Sequence, residues 1–200
     1  MSPDYYYTIE RSASAEFKDR GSRFIAYAFP IVSVSDFKRQ LQGLKDEHSK
    51  ASHHCFAYRI GTDRNTFRSN DDGEPSGSAG KPILGQIDSK QLTDLAVVVV
   101  RYFGGILLGV PGLINAYKTV TALVLQTTPV IQKAIEIKYR LQFDYTRINE
   151  VMVIAKRYNC TVLEQQMELF CSMTIGVPKA NHELILLKLK DIVGLEVTRI

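Results

Sequence analysis

No stretch of the 200-residue chain approaches the roughly 18 consecutive apolar residues that a membrane-spanning helix needs. The opening MSPDYYYTIE has no basic region followed by an apolar core, so no secretory signal is expected. Cysteine is scarce: Cys55, Cys160 and Cys171 are odd in number and show neither CxxC nor metal-ligand spacing, so reduced thiols and a cytoplasmic location are expected. Charge is nearly balanced. A net +4 permits an anionic partner without demanding one. Internal repeats and low-complexity segments are absent. What remains, 45% hydrophobic and 23% charged residues, is an ordinary globular composition, sufficient for one large or two small domains.

The chain is organised around 69–117. There, two glycine-rich loops flank the run Leu95-Ala96-Val97-Val98-Val99-Val100. A short run that is apolar on both faces and rich in β-branched residues predicts a central strand covered on each side. The loops carry Gly73, Gly77, Gly80, Gly104, Gly105, Gly109 and Gly112. Such density implies tight turns or close approach of backbone to a neighbour.

Before this stretch, Tyr5–Ile9 has edge-strand composition, 15–21 is polar and turn-like, and 23–29 alternates as a strand. Ser33 and Ser35 are N-cap candidates for a helix over 36–48, with Phe37, Leu41 and Leu44 on one face. His53–Ile60 reads as a strand and 61–70 as a hairpin-like connection. Pro82 marks the first turn of a short helix. A further helix over 112–126 carries Leu113, Ala116, Tyr117, Val120, Leu123 and Val124 on one stripe, and Thr127-Thr128-Pro129 ends it. That break separates an expected domain of residues 1–129 from one of residues 134–200. In the second, strands over 134–143, 160–165, 169–177 and 195–200 alternate with helices over 146–158 and after Asn181, its expected cap. The order is βαββαβ, the ferredoxin-like arrangement.

Four motifs bear on chemistry. Asp71, Asp72 and Glu74 could hold a hard cation, but they lack ligand spacing, and a polar turn bonded to backbone N–H groups is the simpler account. Gly77-Ser78-Ala79-Gly80-Lys81 before a helix suits an anion on exposed N–H groups, or tight packing against the central strand; it is not a Walker loop. Arg101-Tyr102-Phe103-Gly104-Gly105 ends the central strand and offers a guanidinium fork beside aromatic rings. Three adjacent carboxylates repel one another, so Arg101 is expected within ion-pair distance of at least one. His53 and His54, adjacent on a strand, face opposite ways and cannot easily serve one ion. Ser76 and Ser78 have no nucleophile-elbow context, and no metal or cofactor is expected.

The strings HHCFAYR, NDDGEPSGSAGKPIL and VRYFGGILLG resemble the IMPACT family, specifically its bacterial YigZ-like branch, over essentially the whole chain. The resemblance implies an α+β fold. Its N-terminal IMPACT-type domain would be like the second domain of ribosomal small-subunit protein five and the fourth of elongation factor G. The C-terminal ferredoxin-like domain would be like that factor's fifth. Eukaryotic relatives add an RWD domain that binds a translational-control partner, which is not expected to carry over here. Against a family pattern near GGIKLGAGGLVRAY, this chain reads GGILLGVPGLINAY, with Leu107, Val110, Pro111 and Asn115 altered. Leu107 and Asn115 each stand where a basic residue is frequent.

These readings lead to one expectation with one alternative. The expected function is a non-catalytic regulatory protein that binds RNA, the ribosome or a translation-related protein partner through the glycine-loop face. The candidate contacts are Asp71, Asp72, Glu74, Ser76, Gly77, Ser78, Lys81, Arg101, Tyr102, Phe103, Gly104, Gly105 and Lys118. The alternative is a hydrolase-like enzyme acting on a phosphorylated or peptide substrate between the two loops.

Overall fold

The computed structural model describes residues 3–200. In chain order its first part holds β1 (Tyr5–Ile9), β2 (Ala13–Asp19), β3 (Ser22–Pro30), α1 (Val34–Glu47), β4 (His53–Ile60), β5 (Thr66–Asn70), α2 (Gly80–Ser89), β6 (Leu95–Tyr102), α3 (Gly109–Thr127) and β7 (Val130–Ala134). Two compact units emerge among the described residues: Tyr6–Lys133, and 3–5 together with Ala134–Ile200.

The larger unit is built on a five-stranded sheet in the order β2-β3-β6-β4-β5. Every neighbouring pair is antiparallel. The central strand is therefore the one marked by its apolar run, and Leu95–Val100 are each 0% exposed. Alternation sends Val97 and Val99 into a core with Ile83 and Ile87 of α2 and Ala116, Tyr117, Val120 and Val124 of α3. Ala96 and Val98 face the other way, onto Phe37 and Leu44 of α1 and onto Phe56 and Tyr58. Helices on both faces explain the two-sided run without parallel pairing. Ser33 caps α1, its Oγ accepting from the Asp36 N–H at 3.1 Å.

Two strands lie where polar connections were expected. In β2, over the supposed turn at 15–21, Ala13, Ala15 and Phe17 pack against the core while Ser14, Glu16 and Lys18 face out. Two alanines are weak markers of an inward face, so the alternation is hard to see in the sequence. β5 lies inside the supposed connection at 61–70. It is a sheet edge with Thr66, Phe67 and Arg68 exposed, and an edge needs no apolar pattern. β1 and β7 form a two-stranded sheet of their own.

The second unit holds β8 (Glu136–Asp144), α4 (Ile148–Arg157), β9 (Thr161–Gln166), β10 (Phe170–Pro178), α5 (His182–Lys190) and β11 (Glu196–Arg199). Its antiparallel sheet runs β11-β8-β10-β9. Tyr139, Leu141, Met173 and Ile175 pack there with Val151 of α4 and Ile185 and Leu189 of α5. The βαββαβ succession is as the sequence reads. The single strand expected over 134–143 is instead split at Ile135, whose N–H donates to the Asp4 carbonyl at 2.8 Å. Asn181 precedes α5 without a side-chain cap, because a 3₁₀ turn at Lys179–Asn181 leads into the helix.

Candidate binding site at the glycine loops

The three neighbouring carboxylates of the first loop each find separate donors. Asp71 accepts from the backbone N–H groups of Gly77, Ala79 and Gly80 at 2.9, 3.0 and 2.7 Å. The N-terminus of α2 is thus filled by the protein's own carboxylate, where an external anion had been one of two expectations. Burial pushes the Asp71 carboxyl up, but the N–H bonds and the charge of Lys81 outweigh it and leave the pKa below the ordinary value. Asp72 Oδ2 accepts from the His54 N–H at 2.6 Å, and His53 Nδ1 donates to the Asp72 carbonyl at 2.7 Å. Glu74 turns inward. Its Oε1 lies 2.6 Å from Arg101 Nη1 and accepts from the Tyr117 hydroxyl at 2.8 Å.

Arg101 leaves β6 between Phe24 of β3 and His53 of β4, its cross-strand neighbours. Its Nη2 donates to Ser22 Oγ at 3.3 Å, and its guanidinium lies 5.3 Å from the Phe24 ring centroid and 5.6 Å from that of Phe103. Cys55 Sγ lies 3.0 Å from the Asp71 carbonyl oxygen and 3.2 Å from the Tyr117 hydroxyl. Burial pushes the Cys55 thiol and the Tyr117 phenol far above their usual values, so both stay protonated.

The glycines serve close approach. A Cβ on Gly104 would lie 1.9 Å from the Gly21 carbonyl carbon, so the second loop rests directly on the β2–β3 turn. A Cβ on Gly80 would meet the Asn70 backbone nitrogen at 2.6 Å, which forces the start of α2 against the end of β5.

Between the loops lies a cavity of about 420 Å³ lined by His53, Glu74, Arg101 and Phe103 and by Leu107, Leu108, Val110 and Leu113. Its mouth is apolar: Leu107 is 82% exposed, Phe103 48% and Val110 45%. No three His, Cys, Asp or Glu side chains among the described residues converge as a metal site.

The candidate residues divide. Asp71, Asp72, Glu74, Gly77, Arg101 and Gly104 meet in the locked loops. Ser78 is buried, with its hydroxyl donating to the Pro75 carbonyl at 2.6 Å, whereas Ser76 is exposed. Lys81 on α2, Lys118 on α3 and Gly105 are exposed. Tyr102 does not join Arg101 and Phe103 in one aromatic–cationic surface. Strand alternation sends it to the α1 side, where its hydroxyl bonds His48 Nδ1 at 2.9 Å. Tyr117 and Ser22 were missed as site residues. In the sequence Tyr117 reads as one more apolar position on the α3 stripe, with its hydroxyl as the one signal of a polar role.

The Impact N-terminal domain matches residues 20–125. An IMPACT family member from Haemophilus influenzae is 34% identical over 183 residues, covering 88% of this chain and 87% of that protein. This chain belongs to the IMPACT family. Its relative YigZ of Escherichia coli is 31% identical over 172 residues, covering 85% of this chain and 84% of that one. A crystal structure of a hypothetical protein superposes with a TM-score of 0.80 at 28% identity, over 99% of this chain and 98% of that one. Leu107 and Val110, two of the departures from the family pattern, both line the cavity.

Proposed function

We propose that this IMPACT family protein is a non-catalytic regulator in translation that binds a partner macromolecule through its glycine-loop face. The translational setting is what membership of the family suggests. The observation that carries the binding mode is the burial of the Arg101–Glu74 pair, with side chains 6% and 3% exposed. Arg101 is neutralised by Glu74, and Asp71 fills the N-terminus of α2. That removes the two features best suited to phosphate and leaves Lys81 and Lys118 as the exposed cations of the candidate set. The mouth is apolar instead, so among RNA, the ribosome and a protein, a protein surface suits this face best, a ribosomal protein included. Cys55 and Tyr117, held protonated by burial, are removed as nucleophiles, which supports binding over hydrolysis.

The test places a photo-crosslinking amino acid at Leu107 in cells and identifies the adducts. A protein of the translation apparatus, trapped from Leu107 and not from a position on β2, is expected. In the protein carrying the crosslinker at 107, Val110→Asp should abolish capture with little change in the thermal midpoint, because a 45% exposed side chain contributes little to packing. Adducts with RNA alone, or none, would overturn this reading.

A further inference from the structure

A second groove lies on the α1 side of the sheet, between that helix and the edge strand β5. It is a cavity of about 260 Å³ floored by Phe37, Leu41, Phe56 and Tyr58. Lys38 and Lys45 of α1 line it, two turns apart and so about 10 Å along the helix axis, and Arg68 lines it from β5. We propose that this groove docks an extended acidic segment of a partner protein, added alongside β5 as a sixth strand.

The backbone supplies the first reason. β5 is last in the sheet and pairs with β4 alone, so its outer row of N–H and C=O groups is open to another strand. Charge supplies the second. Among the described residues, Lys38, Lys45 and Arg68 make no ion pair, while nearby acids have other partners. Asp36 bonds Ser33 and Arg39, Asp46 bonds Gln42, and Asp72, on the groove itself, accepts the His54 N–H at 2.6 Å. The opposite edge is different. On β2, Glu16 pairs with both Lys18 and Arg23, so charge there is balanced within the protein.

The floor decides between an acidic peptide and single-stranded nucleic acid. Stacking of bases needs ring faces open to solvent. Phe37, Phe56 and Tyr58 are only 3%, 7% and 6% exposed, so they present an apolar floor for a side chain and no platform for a base. An extended strand places alternate side chains roughly 6.6 Å apart on one face. Paired beside β5, its alternate side chains on that face can set carboxylates toward Arg68 and the lysines of α1.

Selection of a phage-displayed library of random ten-residue peptides on the intact protein tests this. Enriched peptides should be acidic, and amide exchange at Thr66–Asn70 should slow when one is bound. Affinity should fall at least about tenfold in Lys38→Glu/Lys45→Glu, and likewise in Arg68→Glu, surface changes whose folding is checked by thermal midpoint. Enrichment of peptides without net negative charge, binding indifferent to charge reversal, or unchanged exchange in β5 would overturn the proposal. So would an oligouridylate that binds through these residues where acidic peptides fail, or self-association through β5 detected by sedimentation.

Discussion

Arg101 Nη1 lies 2.6 Å from Glu74 Oε1, and this single contact ties the end of the central strand to the loop before α2. The sequence expectation that Arg101 would meet one of three carboxylates is fulfilled by Glu74, the one that turns inward. A buried ion pair offsets its desolvation only when further hydrogen bonds complete it. Here Tyr117 at 2.8 Å and Ser22 at 3.3 Å supply two such bonds, while Arg101 Nε is buried without a hydrogen-bond partner among the described residues.

Arg101→Met should therefore cost about 3–5 kcal/mol, because Glu74 would be left buried without its cation. Urea denaturation measures it. Arg101→Met/Glu74→Leu should recover much of the loss, with a coupling energy above about 1 kcal/mol. A mild stability change accompanied by lost partner binding would instead make Arg101 a contact residue and remove the structural role assigned to the pair.

Gly104→Ala should destabilise the larger unit by about 2 kcal/mol or more, since the new methyl would fall 1.9 Å from backbone, which cannot rotate away as a side chain could. Gly105→Ala makes the informative comparison. A methyl there would meet no atom within 4 Å, so its cost is confined to the φ of +85°. If Gly104→Ala proves the milder of the two in thermal unfolding, the close approach of the second loop to Gly21 is not what fixes the glycine.

The sequence was most legible where burial is periodic. Leu95–Val100, the α1 face around Phe37 and most of the α3 stripe declare themselves because one or both sides must be apolar; Leu123, expected on that stripe, is instead 37% exposed. β2 and β5 did not, since alanines and an exposed edge give alternation little amplitude. At the site, the presence of three carboxylates was plain, but their assignment was not. Which of Asp71, Asp72 and Glu74 meets Arg101 depends on the path of the loop, with Asp72 at φ +44°. The separation of Tyr102 from Arg101 was within reach, as adjacent strand residues face opposite ways. Tyr117 was not: its partner lies 43 residues away in sequence.

The three cysteines yield a further prediction. Burial pushes the Cys55 thiol far up and raises Cys160 to about 11, so at pH 8 only about a thousandth of Cys160 is thiolate. Cys171 is buried. The native protein should react slowly with a thiol-specific disulfide reagent at pH 8, and denaturant should release three thiols. A rapid burst mapped to Cys55 before unfolding would show that its surroundings open, and would undo its removal as a nucleophile.

Asp71 gives stability a pH dependence whose sign is fixed by its hydrogen bonds. Its folded pKa lies below the ordinary value, because the N–H groups of Gly77, Gly80 and Ala79 and the charge of Lys81 outweigh the effect of burial. A depressed carboxyl stabilises the fold above its unfolded pKa, about 3.9, and that contribution disappears as pH falls through the folded pKa. In Asp71→Asn the amide oxygen can still accept two of the three bonds, but the NH₂ group faces a donor and the charge is gone. A loss of about 1–3 kcal/mol at pH 7 is expected. Urea midpoints of the two proteins should differ by a constant amount from pH 7 to about 5, then converge below about pH 4. Asp36 and Asp144, whose pKa values are also lowered, are common to both and cancel in the difference. A gap that stays constant down to pH 3 would mean that the carboxylate charge contributes nothing at the start of α2, and the account of Asp71 as the anion at that helix end would fail.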